Sequence, residues 1–320
     1  MHAIGVDIGG TKIAVGVVDD DGVIVAKTKR PTEPQHPESI DAAIADAVAE
    51  LAADYEYGAV GLAAAGFVSS DRQHVTFAPN IAWRNYPLAQ RVSALLKADV
   101  PVVVENDANA AGWAEFVFGA GRDVQNFALL TIGTGLGGAL VVDGALVRGA
   151  YGFGAEVGHI AMVPGGHACG CGHRGCWEQY ASGSALVREA RLAGVERPTR
   201  AARLLELAGG APEKIKGTHV SQLAAEGDEL AIELLKELGE WIGRGCATLS
   251  ATLDPALFVV GGGVVAAGDF LLQPARVQFE ASLPALEHRP VAPIVAAQMG
   301  NDAGIVGAAA LARVGSPIAS

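Results

Sequence analysis

Ile4-Gly5-Val6-Asp7-Ile8-Gly9-Gly10-Thr11-Lys12 is the stretch that decides the fold. It reads as a short apolar strand ending on an aspartate, followed by a tight glycine turn. Residues 13–18 continue as a second strand. Asp19-Asp20-Asp21-Gly22 is a strong turn signal, and residues 23–26 make a third strand. Three antiparallel strands therefore open the chain. The pattern returns from Phe127: residues 128–132 read as a strand, Gly133-Thr134-Gly135 as a glycine turn, and residues 138–142 as the next strand. Asp143-Gly144 turns into a third strand at Ala145. A repeat of this kind predicts a duplicated α/β domain. Two such domains facing each other across a cleft, each offering a glycine turn, make a natural nucleotide site.

The turn at Asp7, Gly9, Gly10, Thr11 and Lys12 is not a Walker P-loop, because it lacks the GxxxxGK[ST] spacing and joins two strands. Its glycines let the backbone approach a phosphate chain, and successive N–H groups form an anion nest. Thr11 and Lys12 add a hydroxyl and a point charge, and Asp7 is suited to hold magnesium through water. An ordinary glycine hairpin has the same local look, but the second copy at Gly133, Thr134 and Gly135 argues against it. Gly261-Gly262-Gly263, after the buried-type strand at residues 257–260, is a third site of close backbone approach, suited to a flat adenine-ribose group.

Glu105-Asn106-Asp107-Ala108-Asn109 follows the strand Val102-Val103-Val104. It sets carboxylates and amides at the carboxyl end of a strand, where α/β ligands bind. Helix capping by Asn106 or Asp107 would explain one of them. Two acids and two amides exceed what one cap needs. An aspartate within reach of a hydroxyl is a candidate general base.

Three of the four cysteines, Cys169, Cys171 and Cys176, stand in a glycine-spaced run between Glu156 and Glu178. With one histidine they form a Cys₃His set that suits a closed tetrahedral zinc site. A disulfide within C-x-C is too strained. The spacing leaves His159, His167 and His173 all open as the fourth ligand. Cys246 lies alone in a helical pattern and reads as a small core residue.

The length of 320 residues fits about two domains. Half the chain is hydrophobic, enough for a large core, and a net charge of −12 disfavours nucleic acid and anionic membrane as partners. No charged-then-apolar leader opens the sequence and no apolar run would span a bilayer, so a cytoplasmic location with reduced thiols is expected. Helices are expected over residues 38–53, with Ile40, Ile44, Val48 and Leu51 on one face, over 228–251, ended by Asp254-Pro255, and from an Asn301-Asp302 cap to Arg313.

Together these motifs resemble the ROK family of sugar kinases, in the actin-like and hexokinase-like ATPase superfamily with its duplicated ribonuclease-H-like fold. The resemblance rests on Asp7 to Lys12, Glu105-Asn106-Asp107, Gly133-Thr134-Gly135, Glu156-Val157-Gly158-His159 and the cysteine run with Glu178. It covers nearly the whole chain and is strongest toward the bacterial ATP-dependent glucokinases of the family. It implies that Asp107 is the base toward the sugar 6-hydroxyl, and that Gly66, Asn80, Asn106, Glu156, His159 and Glu178 line the sugar pocket. It implies His159 as the fourth zinc ligand beside Cys169, Cys171 and Cys176, with His173 not a ligand. It further implies ATP and glucose as ligands, magnesium as cofactor, structural zinc, a dimeric or tetrameric homo-oligomer, and a C-terminal helix returning to the first domain. Residues 1–111 plus 301–320 would then form the smaller domain and 112–300 the larger.

Two other sugar-directed readings compete, beside a zinc-stabilised structural ATPase of actin type, which would explain the glycine turns but not Glu156 and Glu178. One is a kinase for another hexose or an N-acetylhexosamine. The other is a non-enzymatic sugar sensor, since some family members are repressors with an added DNA-binding segment. A first strand starting by residue 4 and an acidic balance oppose the sensor. Polyphosphate in place of ATP as donor stays open.

Overall fold

The computed structural model describes residues 1–314. The chain divides into two compact units. The first comprises Met1–Asp123, Ala139–Ala155 and the segment from Gln298; the second comprises Val124–Gly138 and Glu156–Ala297.

The glycine and Asp-Gly turns fold as hairpins. In chain order the first half runs β1 (His2–Ile8), β2 (Lys12–Val18), β3 (Ile24–Pro31), α1 (Pro37–Ala52), β4 (Tyr57–Ala64), β5 (Phe67–Val68), β6 (Val75–Phe77), β7 (Arg84–Tyr86), α2 (Leu88–Leu95), β8 (Val102–Asn106) and α3 (Asp107–Val117). The remainder is β9 (Phe127–Ile132), β10 (Leu136–Val142), β11 (Ala145–Leu146), α4 (Gly183–Glu196), α5 (Ala202–Leu207), α6 (Gly217–Ala225), α7 (Glu229–Leu253), β12 (Leu257–Gly261), α8 (Asp269–Ser282), β13 (Ile294–Ala296) and α9 (Ala303–Arg313).

The first sheet has the order β3-β2-β1-β4-β8, with antiparallel β1–β2 and β2–β3 and parallel β1–β4 and β4–β8. Strand alternation sends Ile4, Val6 and Ile8 to one face, where Ile40, Ile44 and Val48 of α1 cover them. On the opposite face Ala3, Ala14 and Val18 pack with Ile305, Val306, Ala309 and Ala312 of α9. Gly5 and Gly61 make that approach close. A Cβ at Gly5 would lie 1.8 Å from the Ile305 carbonyl oxygen, and one at Gly61 would lie 1.9 Å from that of Ala308. Glu115, buried in α3, accepts from the N–H groups of Gln298 and Met299 at 2.7 Å each and anchors the chain as it enters α9.

The second sheet has the order β11-β10-β9-β12-β13, with β10–β11 antiparallel and β9–β12 and β12–β13 parallel. This repeats the hairpin-then-parallel scheme of the first sheet, and the division between units falls inside β10. α7 starts at an Asp228 cap whose carboxylate accepts from the Ala231 N–H at 2.9 Å. It ends where Asp254 takes a φ of 46°, just before Pro255.

Several sequence expectations shift. β3 extends to Pro31 because it pairs along all of β2, and Lys12 faces Pro31. The expected boundary at residues 111/112 would cut α3, which is one continuous helix packed on α9, and residues up to Asp123 group with the first unit. Part of the expected return segment 301–320, residues 315–320, lies outside the described residues. The small β5-β6-β7 sheet and helix α2 were not anticipated, and α4, α5, α6 and α8 fall beyond the cysteine run, where a turn to helix was expected without bounds. Asp302 stands at the start of α9, but its carboxylate pairs with Lys27 and makes no cap hydrogen bond. Among the described residues no helix is long and apolar enough to cross a membrane.

Candidate active site

In the first unit the glycine turn is closed by Gly9 N–H donating to the Lys12 carbonyl at 3.0 Å. Thr32 ties it down, its hydroxyl donating to the Gly9 carbonyl at 2.8 Å. Thr11 and Lys12 are exposed. Asp7, at the end of β1, has its carboxyl pushed above the ordinary range by burial; Lys12 and Lys27 pull it down and Asp302 pushes it further up. Gly10 backs onto exposed Asn80, whose Cβ would be 3.6 Å from a Cβ built there. A phosphate-type turn and a predicted sugar residue thus adjoin.

β8 delivers Glu105, Asn106 and Asp107 in succession to the mouth of α3. Asn106 caps the helix, its Oδ1 accepting from Asn109 N–H at 3.0 Å, while its Nδ2 donates to the Gly66 carbonyl at 3.1 Å. The capping account considered from sequence therefore holds for Asn106, and one amide N–H is left for a ligand. Asp107 is half-buried in the first turn and accepts from Ala108 N–H at 2.9 Å. Glu105 is buried and ion-paired with Arg148 at 2.8 Å.

In the second unit the glycine turn is pinned to the N-terminus of α4. Gly183 N–H donates to the Gly133 carbonyl at 2.8 Å and Ser184 N–H to that of Thr134 at 3.3 Å. Ser182 caps α4, accepting from Ala185 N–H at 3.2 Å. The turn borders a cavity of about 830 Å³ walled by Gly133, Thr134, Gly263 and Val264 with helix residues such as Arg188, Lys216, Thr218 and Ser221. Gly261 ends β12 and Gly262, at φ 88°, carries the chain past the Ile132 carbonyl into the wall. The helical wall was missed from sequence, since polar residues on α4 and α6 look like any solvated face.

Glu156, His159, Glu178 and the cysteines gather beside this turn. His159 Nδ1 is 3.7 Å from Cys169 Sγ, and Cys171 and Cys176 sulfurs are 3.6 Å apart. All four donor atoms lie within 4.8 Å of one another. Zinc bonds of 2.3 Å to sulfur would hold tetrahedral ligands ~3.8 Å apart, so the donor set fits that ion in type and spacing. Burial pushes the Cys169 and Cys176 thiols up, while the backbone around His173 lowers that of Cys171. A bound cation would stabilise all three as thiolates. His167 and His173 are outside the cluster.

Glu178 follows Trp177, which is fully buried and donates its indole N–H to the Trp241 carbonyl of α7 at 2.8 Å. That anchor brings the Glu178 carboxylate to Cys169 Sγ at 2.9 Å and to His159 Nδ1 at 3.9 Å. Its other oxygen would be 2.8 Å from a Cβ at Gly135. Burial raises the Glu156 carboxyl, with His159 opposing and Glu178 adding to the rise.

The ROK family model matches residues 3–314. The chain belongs to the ROK family. A glucokinase of Streptomyces coelicolor is 51% identical over 315 residues, covering 98% of each chain. A glucokinase of Thermotoga maritima is 35% identical over 316 residues, again 98% of each. The crystal structure of a ROK family glucokinase from Streptomyces griseus, in complex with glucose and AMPPNP, superposes with a TM-score of 0.88. It is 49% identical, and the match covers 98% of this chain and 100% of that one. The two like-ordered sheets are those of the duplicated, actin- and hexokinase-like ATPase fold that characterises such structures.

Proposed function

We propose that this ROK protein phosphorylates glucose at its 6-hydroxyl with magnesium-ATP. The observation that carries the reading is the closeness of Gly135 to Glu178: a Cβ built on this glycine turn would lie 2.8 Å from a carboxylate that also meets the Cys/His cluster. Glucokinase relatives, one of them 51% identical over nearly the full chain, support it.

Each group then has a task. Asp107 accepts the proton of the attacking 6-hydroxyl. Gly66, Asn80, Asn106, Glu156, His159 and Glu178 hydrogen-bond the sugar. Neutral hydroxyls need donors and acceptors at fixed points, and this mixed set supplies both. A hexose lacking one hydroxyl leaves a buried partner unpaired, which gives discrimination. Gly9, Gly10, Thr11, Lys12, Gly133, Thr134 and Gly135 would receive the phosphates, Asp7 would hold magnesium, which would neutralise phosphate charge, and Gly261, Gly262 and Gly263 would face the adenosine. His159, Cys169, Cys171 and Cys176 would hold a structural zinc ion. With four protein ligands it offers no open position for water and acts on shape alone. With Nδ1 toward the metal, His159 keeps Nε2–H as a donor for a sugar hydroxyl.

Steady-state kinetics over glucose, mannose and N-acetylated hexosamines, each with ATP and with polyphosphate, test the reading. Glucose with ATP is expected to give the highest kcat/KM. A higher value for another sugar, or no sugar-stimulated ADP release, would overturn it.

A further inference from the structure

Glu105 holds more partners than a strand end needs. Its side chain is 3% exposed. Oε1 accepts from the Asn106 backbone N–H at 3.2 Å and from Asn109 Nδ2 at 3.1 Å. Oε2 accepts from Arg148 Nε at 2.8 Å, with Nη2 also at 2.8 Å, and lies 3.6 Å from Arg72 Nε. One oxygen thus serves the first turn of α3 and the other serves two guanidinium groups. Both oxygens are thus engaged by N–H donors.

The two arginines differ. Arg72 is 2% exposed and built into the frame: its carbonyl accepts from Val104 N–H at 2.9 Å, and its Nη2 donates to the Leu311 carbonyl of α9 at 3.2 Å. Burial lowers its pKa to about 10, with Glu105 opposing. Arg148 is partly exposed, at 21%, and comes from the segment after β11. That segment is folded back on itself by Gly154 N–H donating to the Arg148 carbonyl at 2.8 Å. It is seated against β5 by Phe153, whose ring meets Phe67 edge-on at 5.2 Å.

A buried ion group is weak evidence for stability, because desolvation offsets most of the attraction; its better-attested use is to specify one geometry. Here residues 106 and 109 are both tied to Oε1, so Asp107 lies inside a turn fixed on either side. We propose that Glu105, gripped by Arg72 and Arg148, is a positioning residue that sets the direction in which the Asp107 carboxylate leaves β8. This rests on the reading of Asp107 as the base. A misplacement of about 1 Å costs up to ~100-fold in rate, so the grip acts on kcat.

The test is Arg148→Met, which removes both N–H donors from Oε2 but keeps the stem and leaves Arg72 in place. Its kcat should fall about 10- to 100-fold. Glucose affinity by calorimetry should change by less than about threefold, while the melting temperature falls because the buried Glu105 carboxylate loses one of its two cations. Arg148→Lys keeps the charge without the two-pronged hold and should recover only part of the rate. Amide exchange at residues 108–110 should quicken in Arg148→Met. Native kcat in Arg148→Met overturns the proposal, and so does a kcat fall equalled by a fall in sugar affinity. Asp107→Asn, assayed beside it, separates the two readings. If that variant keeps native kcat, the base lies elsewhere. A slow Asp107→Asn with a fast Arg148→Met rejects only the positioning role.

Discussion

The glycine turns of the two units close hairpins of the same kind, yet their surroundings are opposite. Around Gly9 and Gly10 stand Asp7, Lys12, Lys27 and Asp302, a charged setting with Thr11 and Lys12 open to solvent. Around Gly133 and Gly135 the carbonyls are taken by the start of α4, the turn borders a cavity of about 830 Å³ whose cations, Arg188, Arg191 and Lys216, come from the helical wall, and no atom lies within 4 Å of where a Gly133 Cβ would point. The duplicated scaffold supplies backbone N–H groups twice. The side chains added to each copy differ, with charges on the turn and its strand in one unit and a walled cavity in the other.

The largest effect should come from the charged unit. Asp107→Asn keeps shape and a hydrogen bond but removes the basic carboxylate. Loss of a general base lowers rate by about 10² to 10⁴-fold, seen in kcat by a coupled ADP assay. Glucose affinity by calorimetry should move much less. Near-native turnover would end the assignment.

The next effect falls on the shaped unit. Cys171→Ser removes one donor from the Cys₃His cluster and should release zinc. His159 and Glu178 touch that cluster, so glucose should bind about tenfold or more weakly, the scale seen when a metal site loses its supporting contacts, while the fold persists. Metal analysis finding no zinc in fully active native protein would refute this.

A finer test sets two positions of one turn against each other. A Cβ at Gly135 would lie 2.8 Å from Glu178 Oε2, whereas one at Gly133 meets nothing within 4 Å. Pushing a side chain off its rotamer costs about 0.5–1.5 kcal/mol. Gly135→Ala should therefore weaken glucose binding by a factor of ~2–10, and Gly133→Ala should leave it unchanged. Equal effects would mean that fit at this turn does not reach the sugar.

The smallest effect is on stability. Burial raises the Asp7 carboxyl in the folded chain. A carboxyl raised in this way favours the folded state while protonated, and that contribution is lost as pH climbs through its folded pKa. Asp7→Asn removes the loss, so its melting temperature should gain on the native one as pH rises from about 4 to neutrality, by a few degrees at most. An advantage that shrinks with pH would show that the lysines outweigh burial.

What was legible in the sequence followed from local chemistry. Glycine and Asp-Gly turns between apolar runs marked both hairpins, Asp228 and Pro255 bracketed α7, and the spacing of Cys169, Cys171 and Cys176 gathered a cluster that the fold brings within 4.8 Å. What was illegible depends on long-range contact. Arg72 and Arg148 reach Glu105 from distant segments with no shared pattern, and the α4 and α6 wall of the cavity carries no mark that separates it from a wet surface. The return of α9 was expected only by resemblance. Gly5 and Gly61, inside otherwise apolar strands, were a physical signal of close backbone approach that went unread.

That packing of α9 on β1 and β4 also sets an order of events during synthesis. The strands that leave the ribosome first have one face closed by Ile305, Val306 and Ala309, among the last described residues to be made. At 5–20 residues per second, roughly 15–60 s separate the two. Throughout that interval much of this face of the first sheet is a nascent apolar surface, shared only with α3 and waiting for a helix that has not yet been translated.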